Sequence, residues 1–267
     1  MHTSNINVFN GMSEIYDRAR PSIPIELAEM LTRYLGYRPH CVADIGCGTG
    51  QSLDAWLGRA DFVYGVEPNI EMRTVAEKKY VGRPDVTILG DCGEKLSMQD
   101  CSADIITCVQ VFHWLDDKEA LPEINRILKP NGLLAICDFE FPPLSMWKAD
   151  KAYSEILQFQ KEVNTKYPAI SNDIFEADKS LNLQKVKNSN FFAYSRNAVF
   201  IATETFDAAR FIDLAFSQST LNRVIKANIP EAVIPIQNFK DEVHAAFQKR
   251  TEKIQFCIKM TIAVKKT

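Results

Sequence analysis

The 267-residue chain has no C-x-x-C pair, no internal repeat and no excess of basic charge, and no run in it approaches the ~20 apolar residues of a membrane span. Each absence removes a class of protein. The seven cysteines, at 41, 47, 92, 101, 108, 137 and 257, are odd in number, and several sit inside apolar runs. That usage fits reduced thiols serving as small core hydrophobes, not a disulfide framework. The four histidines, at 2, 40, 113 and 244, are too scattered for a metal cluster, so no metal is expected. With 31 basic and 34 acidic residues the net charge is −3, which leaves no electrostatic stripe for a phosphate backbone. Nucleic acid is therefore the disfavoured partner. The stretch MHTSNINVFNGMSEIYD carries neither the apolar core nor the basic flank of a signal peptide. A cytoplasmic protein without a membrane partner is the expectation.

What the chain does contain is alternation. Its composition, 46% hydrophobic and 24% charged, is ordinary for a globular protein, and its length suits one large domain, with or without an insertion. CVADI (41–45), FVYGV (62–66), VTIL (86–89), ADIITCV (103–109) and LLAICDF (133–139) are short apolar runs. Between them lie helical patterns: QSLDAWLG; NIEMRTVAEKKY, with Ile70, Met72, Val75 and Ala76 on one face; and LPEINRIL (121–128). Apolar strands alternating with amphipathic helices predict an open, mostly parallel α/β sheet covered on both faces, a Rossmann-like architecture. Such sheets bind ligands beyond the carboxyl ends of their strands.

After residue 139 the pattern changes. A helix carrying Trp147, Tyr153 and Phe159 and a second one at about 171–185 form a segment too long for a plain connection, which we expect to act as a lid or insertion (141–189). FFAYSRNAVFI (191–201) and IQFCIKMTIAV (254–264) alternate like strands, with Ile254, Phe256, Ile258, Met260 and Ile262 pointing one way, and predict an antiparallel edge. Helices are expected over TFDAARFIDLAFSQS and from Glu231 to Arg250. The division is then an N-terminal helical cap (1–35), a cofactor-binding half (36–140), the lid and a C-terminal half (190–267), all within a single domain.

The first strand runs into Asp44-Ile45-Gly46-Cys47-Gly48-Thr49-Gly50. Three glycines in five residues at a strand-to-helix junction let backbone approach a ligand. The dinucleotide fingerprint would place glycine at 51, where the chain has Gln51. Asp44 suits an ammonium better than a pyrophosphate. Glu67 ends the second strand, where a carboxylate can accept both hydroxyls of a ribose. Asp91 ends the third, and reads equally as an acceptor for an adenine amine or as a plain Gly-Asp turn.

The stretches VADIGCGTG, VYGVEPN, LGDCGEKL, ADIITCVQVFHW and EINRILKPNGLLAI, in that order, resemble the class I methyltransferases that use S-adenosylmethionine. The resemblance covers about residues 40 to 138 and implies a seven-stranded sheet. It places the loop of Gly46, Cys47, Gly48 and Gly50, with Asp44, at the methionine end of the cofactor. Glu67 goes to the ribose and Asp91 and Cys92 to the adenine, with Pro68, Asn69 and Met72 nearby. The run VQVFHWLD and the N-terminal MSEIYDRARPSIP resemble the small-molecule subgroup that includes trans-aconitate methyltransferase. There, Tyr16 and Arg20, four apart on one helical face, would lie near the methionine end.

Gln110, His113 and Trp114 follow the fourth strand, which in this family ends beside the sulfonium. The Asn/Asp-Pro-Pro-Tyr sequence of amino-methylating enzymes acting on bases is missing here. A small-molecule acceptor, with a carboxylate, hydroxyl or amine as its nucleophile, is the expectation. Gln110 is read as a polar contact to the methionine moiety. His113 is either a general base or a histidine bonded to a loop carbonyl, and Trp114 a wall. Phe141 and Trp147, with Tyr153, either line the acceptor pocket or form the lid's own small core. An NAD-dependent oxidoreductase and a non-catalytic cofactor-binding module that regulates a partner are the competing readings.

Overall fold

Strands that read as unbroken apolar runs are strands covered on both faces, and these pair accordingly. The computed structural model describes residues 3–170 and 175–267. β1 (Cys41–Ile45), β2 (Phe62–Val66), β3 (Val86–Leu89), β4 (Ala103–Val109), β5 (Leu128–Phe139), β6 (Phe192–Phe206) and β7 (Glu252–Lys265) form one sheet in the order β3-β2-β1-β4-β5-β7-β6. The first five strands are parallel to their neighbours, while β7 runs antiparallel to both β5 and β6. This is a Rossmann-like sheet with an antiparallel edge. Strand order reverses between β1 and β4, so the crevice for a ligand opens at the ends of those two strands.

The helices are α1 (Thr3–Asn7), α2 (Ser13–Ala19), α3 (Ile25–Leu35), α4 (Ile70–Lys79), α5 (Asp117–Ile127), α6 (Trp147–Lys166), α7 (Asn182–Asn188), α8 (Ala208–Phe216), α9 (Ser219–Lys226) and α10 (Val233–Phe247). One face of the sheet packs α3, α6, α8 and α10 around Leu31, Tyr153, Phe211 and Phe239, together with Ile254, Phe256, Ile258, Met260 and Ile262 of β7. The strict alternation of β7 thus faces one core, as expected. The opposite face packs α5 and α7 through Leu121, Ile124 and Val186. No helix among the described residues is long and apolar enough to cross a membrane.

Four local differences from the sequence reading have physical causes. QSLDAWLG forms a 3-10 helix over Gln51–Trp56 between Gly50 and Gly58, both at positive φ. α4 leaves Ile70 exposed and buries Met72 and Ala76, since Asn69 caps the helix and turns its first residue outward. α5 starts at Asp117, four residues earlier than the apolar pattern, because the Asp116 side chain accepts the Lys118 amide and caps it. The helix expected at 171–185 is instead a 3-10 turn at Lys179–Leu181, capped by Asp178, followed by α7; residues 171–174 lie outside the described ones.

Asp104, 1% exposed at the start of β4, ties the entrance of the sheet together. Its carboxylate accepts the His40 and Cys41 amides (2.9 and 2.8 Å), the Tyr37 hydroxyl (2.9 Å) and the Lys129 ammonium (2.8 Å). Burial pushes its pKa up, but the Lys129 ammonium and the other donors outweigh it and hold the carboxyl below its ordinary value. Removing one partner of such a buried cluster leaves Lys129 uncompensated. We expect Asp104→Ala to lower unfolding free energy by about 3–5 kcal/mol. Because the folded pKa is depressed, this contribution is present above the ordinary carboxylate range and is lost as pH falls through the folded value. The gap between wild type and variant in denaturant titrations should therefore narrow toward about pH 3.

Candidate functional site

The loop after β1 is shaped by contacts that only glycine permits. Gly46 has φ +70°, and a Cβ there would stand 2.2 Å from Val111 Cγ2. The loop after β4 therefore sits directly on the loop after β1. Gly46 and Cys47 both donate their amides to the Val66 carbonyl (2.7 and 3.0 Å), which draws in the end of β2. Gly50, at φ +86°, is held through its carbonyl by the Tyr80 hydroxyl.

Glu67 closes this junction. It is 8% exposed, accepting the Gly48 amide at Oε2 (3.0 Å) and the Asn69 amide at Oε1 (2.8 Å). Burial raises its pKa to about 7, against those two amide bonds, which lower it. Asp44 is fully buried beneath the loop and accepts hydrogen bonds from Ser52 and Thr107. Burial raises it to about 6, again against its hydrogen bonds. Asp44 braces the glycine loop from below and does not line the cavities above it.

Three small cavities adjoin one another in the crevice. The first is walled by Asn5, Ile6, Phe9, Gly46, Gly48, Glu67, Pro68, Met72, Val111 and Trp114. The second lies between Arg20, the Gly46-Cys47 backbone, Gln51, Ser52 and Phe141. The third holds Arg20, His113, Trp114, Phe141, Glu176, Lys179 and Ser219. Tyr16 and Gln110 line all three. A wider groove bordered by His40, Phe62, Leu89 and Met98 opens elsewhere, away from the glycine loop, and lacks the convergent carboxylate and amide donors of this crevice.

Gln110 is the pivot. Its φ of +55° is unusual for a side-chain-bearing residue and turns the chain sharply out of β4. Nε2 donates to the Phe139 carbonyl (2.8 Å) and Oε1 accepts from Lys179 Nζ (2.9 Å). Across from it the Arg20 guanidinium lies 5.0 Å from the Tyr16 ring centre and 5.2 Å from that of Phe141, and donates to the Ser217 hydroxyl and carbonyl. Arg20 thus faces the crevice on an aromatic seat.

A cover lies over the first cavity. Asn5, 1% exposed, donates to the Trp114 and Phe175 carbonyls (3.2 and 2.9 Å) and accepts the Phe175 amide (3.1 Å). Phe9 meets Tyr16 and Trp114 edge-on. The Asn69 side chain caps α4 and donates to the Ile6 carbonyl and Asn10, tying α1 to the end of β2.

The remaining predicted residues fall elsewhere. Asp91 accepts the Ser97 amide and hydroxyl (2.7 and 2.6 Å) in a turn, and neither it nor Cys92 lines the three cavities. Trp147 is 72% exposed and also lies off them, whereas Phe141 lines the second and third cavities and Phe139 the second. Tyr153 is fully buried against Phe211 and Phe239. Sequence reasoning missed Asn5, Phe9, Asp138, Glu176 and Lys179. For Asp138 there was a signal: it is a lone acid near the carboxyl end of an apolar strand.

The pKa of Glu67 carries a stability consequence. A carboxyl raised from its ordinary 4.5 to about 7 keeps its proton longer folded than unfolded. Stability therefore falls as pH rises between those values. Thermal midpoints measured at about pH 5 and about pH 8 should differ less in Glu67→Gln than in wild type, the variant having no group to ionise there.

Residues 43–136 match the sequence model of a family described as a methyltransferase domain. A methyltransferase-like protein of Schizosaccharomyces pombe is 32% identical over 123 residues, 45% of this chain and 47% of that one. The malonyl-[acyl-carrier protein] O-methyltransferase of Halalkalibacterium halodurans is 28% identical over 148 residues, 51% of this chain and 52% of that one. The matched segment spans about half the length of these curated relatives. Among solved structures, a candidate type II methyltransferase from Anaeromyxobacter dehalogenans superposes with a TM-score of 0.68 over 92% of this chain and 97% of that one, at 17% identity, and so shares its fold. The sheet from β1 to β5 thus carries a methyltransferase-domain match, on a fold held in common with a solved protein of that description.

Proposed function

We propose that the chain is an S-adenosylmethionine-dependent methyltransferase acting on a small-molecule acceptor. The observation that carries this reading is the set of cavities around Tyr16 and Gln110, with Glu67 and Gly46 on the walls of one and His113 on the wall of another. It offers what such a cofactor and an acceptor require. The Glu67 carboxylate suits a ribose diol, and Ile6, Phe9, Pro68, Met72 and Val111 supply apolar walls for a base. Arg20 suits an amino-acid carboxylate, and Gln110 an adjoining polar group. The cofactor, when bound, supplies a methyl group on a sulfonium that is already an excellent leaving group.

The protein's share is then alignment and the exclusion of water. Gln110, locked between the Phe139 carbonyl and Lys179, fixes the junction where the second and third cavities meet. Asn5, Phe9 and Trp114 roof the crevice against bulk water. The third cavity, polar on one side and bounded by Trp114 and Phe141, is the acceptor site.

The test is incubation of the purified protein with methyl-labelled S-adenosylmethionine and a soluble metabolite extract. Label recovered in a low-mass product is the expected result, and label recovered only in macromolecules would refute the small-molecule acceptor. Calorimetric titration should also show S-adenosylmethionine binding weakened about 10- to 100-fold in Glu67→Gln, the loss of a charge-assisted hydrogen bond. An unchanged dissociation constant would remove Glu67 from the cofactor site.

A further inference from the structure

His113 lies at the inner end of the acceptor cavity, and its surroundings are asymmetric. The side chain is 4% exposed. Nδ1 is sealed from solvent and has no hydrogen-bond partner among the described residues, and the same holds for Asp138 Oδ1. The two atoms are 3.7 Å apart, just beyond hydrogen-bond distance, and the same oxygen stands 3.7 Å from Lys179 Nζ. The other Asp138 oxygen accepts from Asn182 Nδ2 (3.0 Å), which fixes the carboxylate's plane. On its other side His113 Nε2 stands 3.8 Å from Glu176 Oε1, at the cavity wall. The backbone holds the ring in place: the Ala177 amide donates to the His113 carbonyl (2.8 Å), and Trp114 packs beside the imidazole with ring centres 4.9 Å apart.

From this geometry, and resting on the methyltransferase reading above, we propose that His113, oriented by Asp138, is the proton acceptor of the site. The acceptor is then a protic nucleophile, a hydroxyl or an amine, and not a carboxylate. A buried nitrogen and a buried carboxylate oxygen that lack hydrogen-bond partners and lie 3.7 Å apart are an incomplete hydrogen bond, of the kind that tightens when a ligand fills the site. With the proton on Nδ1, directed at Asp138, the Nε2 lone pair faces the cavity. The charged groups facing the ring are Asp138 from β5 and Glu176 and Lys179 from the segment before α7; Lys179 is 3.7 Å from Asp138 and donates to Gln110. Burial, aided by Lys179, pushes the imidazole below its ordinary 6.5 against the two carboxylates, so that it is uncharged at neutral pH and open to a proton.

That balance decides between acceptor types. A carboxylate acceptor needs no base; Arg20 and Lys179 also line the cavity, but at Nε2 a carboxylate would meet Glu176 and an uncharged ring. A hydroxyl or amine donates its hydrogen to Nε2 instead. In the transfer the acceptor oxygen or nitrogen bonds to the methyl carbon as its own proton passes to His113 Nε2. The methyl–sulfur bond breaks with its electron pair left on sulfur, giving a neutral thioether. The imidazolium, held by Asp138, then releases the proton to water. Asp138 touches no reacting atom in this scheme; it is a positioning residue.

The first test needs no turnover. Long-range proton–nitrogen correlation spectra of protein labelled with 15N-histidine report the tautomer and titration of His113, assigned by comparison with His113→Gln. We expect the Nδ1–H tautomer and a midpoint below the ordinary value. In Asp138→Asn the tautomer preference should weaken and the midpoint should fall further. An Nε2–H tautomer in wild type, or a midpoint unmoved by Asp138→Asn, would overturn the proposal; should that variant not fold, the wild-type tautomer decides alone. The second test uses the labelled product from the metabolite extract. A methyl group stable to alkali, with transfer falling about 100-fold or more in His113→Gln and about 10-fold in Asp138→Asn with a shifted acid limb of its pH profile, is the expected result. An alkali-labile methyl ester would refute the protic acceptor while leaving the methyltransferase reading standing. No cofactor binding would instead refute that reading, with the spectra still judging the His113–Asp138 pair.

Discussion

Everything in the crevice depends on one contact that a single methyl group would abolish. Val111 lies where a Cβ on residue 46 would be, so the loops leaving β1 and β4 touch only because residue 46 is glycine. The paired amides of Gly46 and Cys47 on the Val66 carbonyl bring in β2, and Glu67 binds the Gly48 amide from that side. Three strand ends are thereby locked into one rigid floor. The positive φ of Gln110 follows from the same closeness: a chain that must pass over Gly46 has to turn sharply out of β4.

Upon that floor the site is assembled from pieces that share no sequence neighbourhood. β5 pairs with β4 in a register that sets Cys137 beside Val109, which places Asp138 level with the turn leading to His113. The segment before α7 brings Glu176 and Lys179 to the far side of the same imidazole. Asn5, from the other end of the chain, stitches α1 to both. Buried carboxyl groups are concentrated here: Asp44, Glu67 and Asp138 lie within the crevice or beneath it, hydrogen-bonded to uncharged donors, with Lys179 no nearer than 3.7 Å to Asp138. Such an arrangement costs folding free energy and is characteristic of sites built to bind, not of sites built to stabilise. Asp104 is the contrast, a buried carboxylate fully compensated by Lys129 and three other donors.

The fold was legible because its physics is local. Strands buried on both faces read as apolar runs, and β1, β4 and residues 133–139 of β5 do so apart from Asp44, Asp104, Thr107 and Asp138; in β7 the residues from Ile254 to Ile262 alternate. Gly46, Glu67 and Gln110 were legible for a related reason, since they end strands on the side where open α/β sheets bind ligands. The same logic failed where local turns and caps override apolar pattern: Asp116 starts α5 early, and the segment between Gly50 and Gly58 winds as a 3-10 helix.

By itself, then, the sequence determined the parallel sheet, its antiparallel edge, the glycine loop and the carboxylate after β2, because each is written in consecutive residues. Tertiary structure alone decided which side chains share a cavity. It left Asp44 under the loop, Asp91 in a turn with Ser97 and Trp147 in solvent, and it set Asp138, Glu176 and Lys179 around His113. The reason is separation along the chain: strand register and the docking of α1 and of the segment before α7 join residues whose spacing in sequence carries no periodic signal.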